Sequence, residues 1–510
     1  MALRMRIRAL LLPPLVLVAP SCGGPEPEPA PTTNLVVVVL DTLRPDHLGC
    51  YGYPRPTSPN LDRFAAESAV FEQAQSSAPW TAPALLSLMT SLHPSVHQVH
   101  DFPNPGRMSE GVTTLAEVLK QAGYETAAFT EGGYAKGEFG LDQGFDLYPP
   151  NEGDELSNVS NLTHPSRLAS NLDRTIEWLR EPRERPFFLF FHTYEAHGPY
   201  RAPQEFVRRL RPSWDEEAEH ARVRETIERW NATGEIDRDG IVLLEVHQHH
   251  CSLDGQPPIE DEQGLRARLA SLREEGAPFP PEVLAIVRDL YDAEIAYLDS
   301  ELQRLWDALD EPGLGRDTVV VVTSDHGEAL GEHGRIGHGT VLHEELMRVV
   351  LLVRAPGVAA QRVGQLACSV DVMPTALELM GVPLPPVPLQ GRSLAPLLRG
   401  SKLDVSFAYG TAVTRTGQEM SWHTLRSGPW RYVADESEGL RWLFDLRSDP
   451  LEERDVLKER SEIAERLSAL LDSRLRADQV LRRDVDAASK GELAPDVLRE
   501  LRGLGYVEQR

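Results

Sequence analysis

Thr81 stands at the centre of SSAPWTAPALLSLMTSLHP (76–94), where a reactive turn would sit. An unassisted alcohol is a sluggish nucleophile, so Thr81 needs a partner that lowers its pKa, and a divalent cation does so. The chain offers ligands for one. Asp41 directly follows LVVVVL (35–40), and Asp325 and His326 follow TVVVVTS (318–324). With the Thr81 hydroxyl they form a set of hard oxygens plus one imidazole. His192, Glu195 and His197 follow FFLFF (187–191) in the same manner. Thr81 precedes APALLSLMTS, which reads as a helix with Pro83 in its first turn, so Thr81 is expected to be the N-cap. The helix's free amides and dipole would then face an anion above the hydroxyl. Singly, each residue has a plain reading: Thr81 caps a helix, and an Asp after a strand caps the next one. Together they point to a metal-activated nucleophile.

The elements that must position these residues are short, uniformly apolar runs: 35–40, TAAFT (126–130), FFLFF, TVVVVT (318–323) and VVLLV (349–353). Such runs suit strands buried on both faces of a mainly parallel sheet. Helical patterns alternate with them at 114–123, 171–181 and 281–309, predicting a doubly wound α/β domain over 34–400 with helices on both faces. In such sheets ligands bind beyond the carboxyl ends of the strands, where the polar residues above fall. Residues 213–280 are polar and irregular and read as an insertion; EVHQHHC (245–251) within it reads as a solvated loop rather than a metal site. FAYGTAV (407–413), WRYVAD (430–435), RWLFDL (441–446) and a charged helix near 460–476 predict a small C-terminal α+β subdomain over 401–480, followed by a tail at 481–510.

The sequence resembles the sulfatase branch of the alkaline phosphatase superfamily over most of 34–400. NLVVVVLDTLRPDHLGCYGY matches the opening strand with its acidic metal ligand, TSDHGEALGEHG the second metal motif, and FFLFFHTYEAHGPY the loop whose histidine contacts the ester's anionic group. YDAEIAYLDSELQRLWDAL, SVDVMPTALELMGVPLP and FDLRSDPLEERD match later segments. The departures are informative. Family sulfatases carry a Cys or Ser, converted to formylglycine, in C/S-x-P-S-R; here the pattern is Thr81-Ala82-Pro83-Ala84-Leu85, and threonine cannot become formylglycine. The family's second acidic ligand falls on Thr42, its Asn on His326 and its Lys on His338, and no GKWH-type pair lies in AFTEGGYAKGEFG (128–140). Phosphoethanolamine transferases and lipoteichoic acid synthases of the same superfamily use a Thr nucleophile and an Asp-His pair, with the spacing found here between His326 and His338.

The resemblance implies catalytic roles for Thr81, His197 and His338 and metal ligands Asp41, Thr81, Asp325 and His326. An imidazole in place of a carboxylate favours Zn²⁺ or Mn²⁺ over Ca²⁺ or Mg²⁺. In the mechanism it implies, Thr81 attacks a phosphoryl centre in line, and His197 and His338 bind the non-bridging oxygens or hold a second metal. The leading expectation is hydrolysis of a phosphate ester, a diester foremost. The alternatives are a sulfuric ester hydrolase using Thr81 directly, a transferase, or an inactive surface-tethered binding protein. The expected substrate is a small-molecule, lipid or glycan anionic ester.

Composition bounds the rest. A formal charge of −26 argues against nucleic acid as a partner. Arg4, Arg6 and Arg8 precede the apolar stretch LLLPPLVLVAP, a signal-peptide pattern that ends at Cys22, where lipidation would attach an exported chain to a membrane. GGPEPEPAPTT (23–33) reads as a tether. Cys50, Cys251 and Cys368 remain, widely spaced, so no disulfide framework is expected. His93, His97, His100 and Arg348 read as structural, and His333 as a loop residue near the site.

Overall fold

A computed structural model describes residues 33–101, 105–150, 167–235, 279–312, 314, 317–403, 407–414 and 420–482, with 240, 243–244, 259–261 and 264 between. The expectations for the leader, Cys22, the tether, Cys251, 245–251 and the tail beyond 482 lie outside the described residues.

The strands are β1 (Asn34–Leu40), β2 (Ala69–Gln75), β3 (Glu125–Phe129), β4 (Phe187–Thr193), β5 (Thr318–Thr323), β6 (Ala329–Leu330), β7 (Ile336–Gly337), β8 (Arg348–Val349), β9 (Leu351–Arg354), β10 (Gln361–Cys368), β11 (Ala408–Thr414), β12 (Met420–Ser427), β13 (Trp430–Asp435) and β14 (Leu440–Asp445). The main sheet runs β10-β2-β9-β5-β1-β4-β3, with β8 beside β2. The β3–β4, β4–β1, β1–β5 and β10–β2 pairs are parallel, while β9 runs antiparallel to β5 and β2, as does β8 to β2. The sheet is therefore mixed where VVLLV was expected to continue a parallel one. An unbroken apolar run encodes burial on both faces, and Leu351, Leu352 and Val353 are buried; it does not encode direction.

β1 illustrates the packing. Leu35, Val37 and Val39 point into one core with the helix Thr81–Thr90, and Val36, Val38 and Leu40 into the other with the helices Leu168–Arg180 and Pro281–Leu309. Helices thus cover both faces of the sheet. β2 and β10 escaped the sequence reading because polar residues interrupt them: Glu72 and Gln73 in β2, and exposed Arg362, Gly364 and Gln365 in β10 at the sheet edge. The insertion read as irregular contains a regular helix, Glu216–Thr233, whose N-cap Asp215 accepts from the Ala218 amide at 3.1 Å. Val223, Ile227 and Trp230 recur along one face and pack with Leu243 and Leu244, a periodicity hidden among charges.

The C-terminal subdomain is a four-stranded antiparallel sheet, β11-β12-β13-β14, covered by the helix Ser461–Arg482. Buried Arg431 of β13 ties it to the main domain through Glu344 and through Gln75 at 2.7 Å, and pairs with Glu452 of its own subdomain at 2.6 Å. Removing the guanidinium leaves Glu344 with Arg426 at 2.7 Å but takes the arginine away from the fully buried Glu452 carboxylate. Arg431→Met is expected to destabilise the fold by about 3–5 kcal/mol, measured by denaturant unfolding. Among the described residues no helix is long and apolar enough to cross a membrane.

Candidate active site

Three adjacent strand ends build the site. β1 lies between β4 and β5, with Val39 in register with His192 on one side and Thr323 on the other. The residues at these ends therefore converge on one edge. The Asp41 amide donates to the Thr193 carbonyl at 3.0 Å. Thr42 turns back at φ 56°, and its amide donates to Asp325 Oδ1 at 3.3 Å; the His326 amide donates to the same oxygen at 2.8 Å. Thr42 thus serves Asp325 through its backbone.

Thr81 is not the N-cap. Trp80 takes that position in extended conformation, and Thr81 is the first helical residue. Its hydroxyl is consequently not spent on capping: it donates to Asp41 Oδ2 at 3.1 Å and lies 3.5 Å from His326 Nε2. Asp41, Thr81, His192, Asp325 and His326 are each no more than 1% exposed.

His192 joins this group, a placement the sequence reading noted at the strand end without giving it a role. Its Nε2 lies 3.4 Å from Asp41 Oδ2, and ligand atoms of Asp41, His192 and Asp325 fall within 4.8 Å of one another. His326 Nε2 lies 3.5 Å from Asp325 Oδ2. Asp41 Oδ1, Asp325 Oδ2 and His192 Nε2 are buried without a hydrogen-bond partner among the described residues. Two carboxylates and imidazole nitrogens left in that condition fit a divalent cation, which would satisfy them all. Burial raises Asp41 to about 6 and Asp325 to about 7, the latter also through Asp41, while burial lowers His192 and His326.

His197 and His338 lie beside this cluster: the ring centroids of His326 and His338 are 4.5 Å apart, and those of His338 and His197 are 4.9 Å apart. Each imidazole directs Nδ1 to an oxygen: His326 to the Gly327 carbonyl at 2.9 Å, His338 to Glu328 at 3.0 Å, and His197 to the Gly198 carbonyl. A carbonyl only accepts, so Nδ1 of His326 and of His197 carries the proton and Nε2 the lone pair. Burial lowers His197 to about 4 and His338 to about 3. A neutral imidazole with the tautomer of His326 and His197 suits a base or a metal ligand, whereas oxyanion binding through Nε2 would require its protonated form.

The sequence reading passed over Tyr194 and Glu131. Glu131, beyond the end of β3, accepts from Thr193 Oγ1 at 2.7 Å and from the Tyr194 amide at 2.8 Å, pinning the end of β4. The Tyr194 hydroxyl accepts from the Tyr134 amide at 2.9 Å and faces Thr81; burial raises its pKa well above the phenol value, so it keeps its proton as a donor. A Cβ at Gly133 would lie 2.8 Å from that hydroxyl, which is why the loop needs glycine there. Glu195 sits within electrostatic reach of Glu131 and Glu294. His97 bonds Ser87 at 3.1 Å, His93 packs on Tyr409 and Arg348 donates to the Glu72 carbonyl, all structural roles.

The sulfatase family model matches residues 33–382, more than half of the chain. The chain belongs to the sulfatase family. A second model, N-sulphoglucosamine sulphohydrolase C-terminal, matches residues 331–480 of this sulfatase-family protein. It is 25% identical to arylsulfatase K of Rattus norvegicus over 91% of its own length and 83% of that protein's. It is 26% identical to iduronate 2-sulfatase of Mus musculus over 64% of its own length, and there it spans 59% of that enzyme. Its fold is shared with phosphonate monoester hydrolase of Agrobacterium radiobacter (TM-score 0.65, 22% identity, 88% of this chain and 96% of that one). It is also shared with a protein solved in complex with its substrate D-glucosamine-2-N,6-O-disulfate (TM-score 0.65, 21% identity, 90% and 100%). The fold of this sulfatase-family chain is thus shared with both a protein solved with a sulfated sugar and a phosphonate monoester hydrolase.

Proposed function

We propose that this protein is an exported, metal-dependent hydrolase that cleaves phosphate esters, diesters foremost, with Thr81 as the nucleophile. The observation that carries the reading is the Thr81 hydroxyl at 3.1 Å from Asp41, beside buried ligand atoms of Asp325, His326 and His192. Asp41, His192, Asp325, His326 and Thr81 would hold the cation, and the imidazoles favour Zn²⁺ or Mn²⁺. Bound there, the cation supplies Lewis acidity that lowers the pKa of the alcohol and offsets charge on the ester oxygens.

The protein's own groups do the rest. Thr81 Oγ1 gives its proton to Asp41 Oδ2, to which it already donates, and forms a bond to phosphorus as the bond to the leaving oxygen breaks; that oxygen takes a proton from water. The first amides of the Thr81–Thr90 helix face the transferred group. His197, neutral with its Nε2 lone pair, suits deprotonation of the water that releases Thr81, with the His338 ring packed beside it. A site with neutral imidazoles, carboxylates nearby and Leu85 in place of the family arginine disfavours dianionic monoesters. It suits a substrate with one negative charge, which a phosphodiester and a sulfate monoester both present. The second reading, direct sulfate ester hydrolysis, is favoured by the sulfatase relatives; the absence of an Arg and a Lys at the family positions weighs against it.

The separating experiment assays metal-loaded protein with an aryl phosphodiester, an aryl phosphate and an aryl sulfate. Fastest turnover of the diester is expected. Turnover of the sulfate alone would replace the first reading with the second, and inertness toward all three would favour the binding protein. Tyr194→Phe removes one donor that faces Thr81, and a fall in kcat of about 10²-fold is expected with little change in KM.

A further inference from the structure

We propose that His333, His343, Glu345 and Glu452 form a second metal-binding site, separate from the Thr81 centre, that clamps the loop after Asp325–His326 to the C-terminal subdomain. Ligand atoms of His333, His343 and Glu452 lie within 4.8 Å of one another. His343 Nδ1 is 2.7 Å from Glu452 Oε2, and the His333 and His343 rings stack at 3.8 Å. Glu345 adds a fourth donor. Its side chain is 6% exposed, its Oε1 has no hydrogen-bond partner among the described residues, and that atom points at His333 Nε2 from 3.8 Å. A buried carboxylate oxygen aimed at an imidazole edge is costly unless something positive lies between them.

The backbone supports the same placement. His333 (φ 52°) and Glu452 (φ 55°) both occupy the left-handed region, which costs a non-glycine residue free energy and which the surrounding structure must hold in place. Arg431 occupies Glu452 Oε1 at 2.6 Å, leaving Oε2 turned toward His343. Two imidazoles and two carboxylates are a donor set for zinc or a similar borderline cation. Closure to zinc distances of about 2.1 Å would draw in the exposed His333 loop, whose neighbour in sequence is the strand leading to His338. The clamp would thereby fix the segment that presents His338 against Glu452, which lies seven residues beyond β14.

The test titrates the chelator-stripped full chain with Zn²⁺ and counts equivalents by equilibrium dialysis. Wild type is expected to bind one equivalent more than His333→Ala/His343→Ala, and Asp325→Asn is expected to keep that equivalent while losing the one at Thr81. Zinc should raise the Tm of Asp325→Asn but not that of the triple variant Asp325→Asn/His333→Ala/His343→Ala. Because His333 is exposed, the single variant His333→Ala serves if the double variant folds poorly, and a weakened second equivalent is expected from it. Equal stoichiometry in wild type and the histidine variants would overturn this second site and leave the Thr81 centre standing. Loss of every equivalent with Asp325→Asn would do the same. Retention of the second equivalent by the triple variant would place that ion elsewhere and also overturn the proposal.

Discussion

Thr81→Ala is expected to lose at least about 10³-fold in kcat/KM on every ester the wild type cleaves, the scale seen when a covalent nucleophile is deleted. The loss should appear in kcat, because the alanine methyl fills most of the same space and the oxygen that forms the new bond is what disappears. Folding should survive: Thr81 is the first residue of its helix, Trp80 rather than Thr81 caps it, and alanine is a good helix former. Thr81→Ser keeps the hydroxyl toward Asp41 and should retain much of the rate. The pattern of Ser active and Ala inactive, with unchanged circular dichroism, separates chemistry from packing. An alanine variant as active as wild type would remove Thr81 from the mechanism.

Asp325→Asn is expected to abolish both metal binding at the Thr81 centre and turnover. Asp325 Oδ1 already accepts from two backbone amides, of Thr42 and His326, so the substituted amide would keep its carbonyl there and turn its NH2 to the position of Oδ2. A donor would then stand where a ligand lone pair is required. His192→Ala removes a second ligand, and metal affinity should fall by more than the about 10–100-fold that loss of an outer partner causes. There is a distinctive corollary. Asp41 and Asp325 are buried together, and Asp41 is among the causes that raise Asp325. Without metal the two carboxylates repel, so metal-stripped Asp325→Asn should melt above metal-stripped wild type, while metal-loaded wild type melts above both. Calorimetry of the three samples decides it. If stripping leaves the wild-type Tm unchanged, the cluster does not hold a metal.

Much of this arrangement is legible in the sequence, for a physical reason. A strand buried on both faces is spelled by its side chains alone, and β1, β4 and β5 carry almost nothing but Val, Leu and Phe. Polar residues at their carboxyl ends then fall on one edge once the three pair in parallel register. That is how Asp41, Asp325 and His326 could be named together. What stayed hidden depends on direction and distance. β9 has the burial signature of its parallel neighbours but runs against them, and β2 and β10 are broken by polar residues at exposed or half-buried positions. His192 and Tyr194 lie within the quoted FFLFFHTYEAHGPY, yet nothing local says that the first turns toward Asp41 and the second toward Thr81. Threonine at a helix start is an N-cap signal, but here the helix begins one residue early, with Trp80 at the cap, and so leaves the Thr81 hydroxyl available. His343 and Glu452, more than a hundred residues apart, meet only because the C-terminal subdomain docks on the catalytic loop.

Thr81 itself should become esterified during turnover, which mass spectrometry of the quenched chain detects. With a phosphodiester substrate, the peptide containing Thr81 should carry a phosphoryl group bearing the retained alcohol. The adduct should be absent from Thr81→Ala and should decay as product forms. Rapid turnover with no modification of that peptide, or with the adduct on another residue, would contradict the account and point to water or a different side chain as the attacking group.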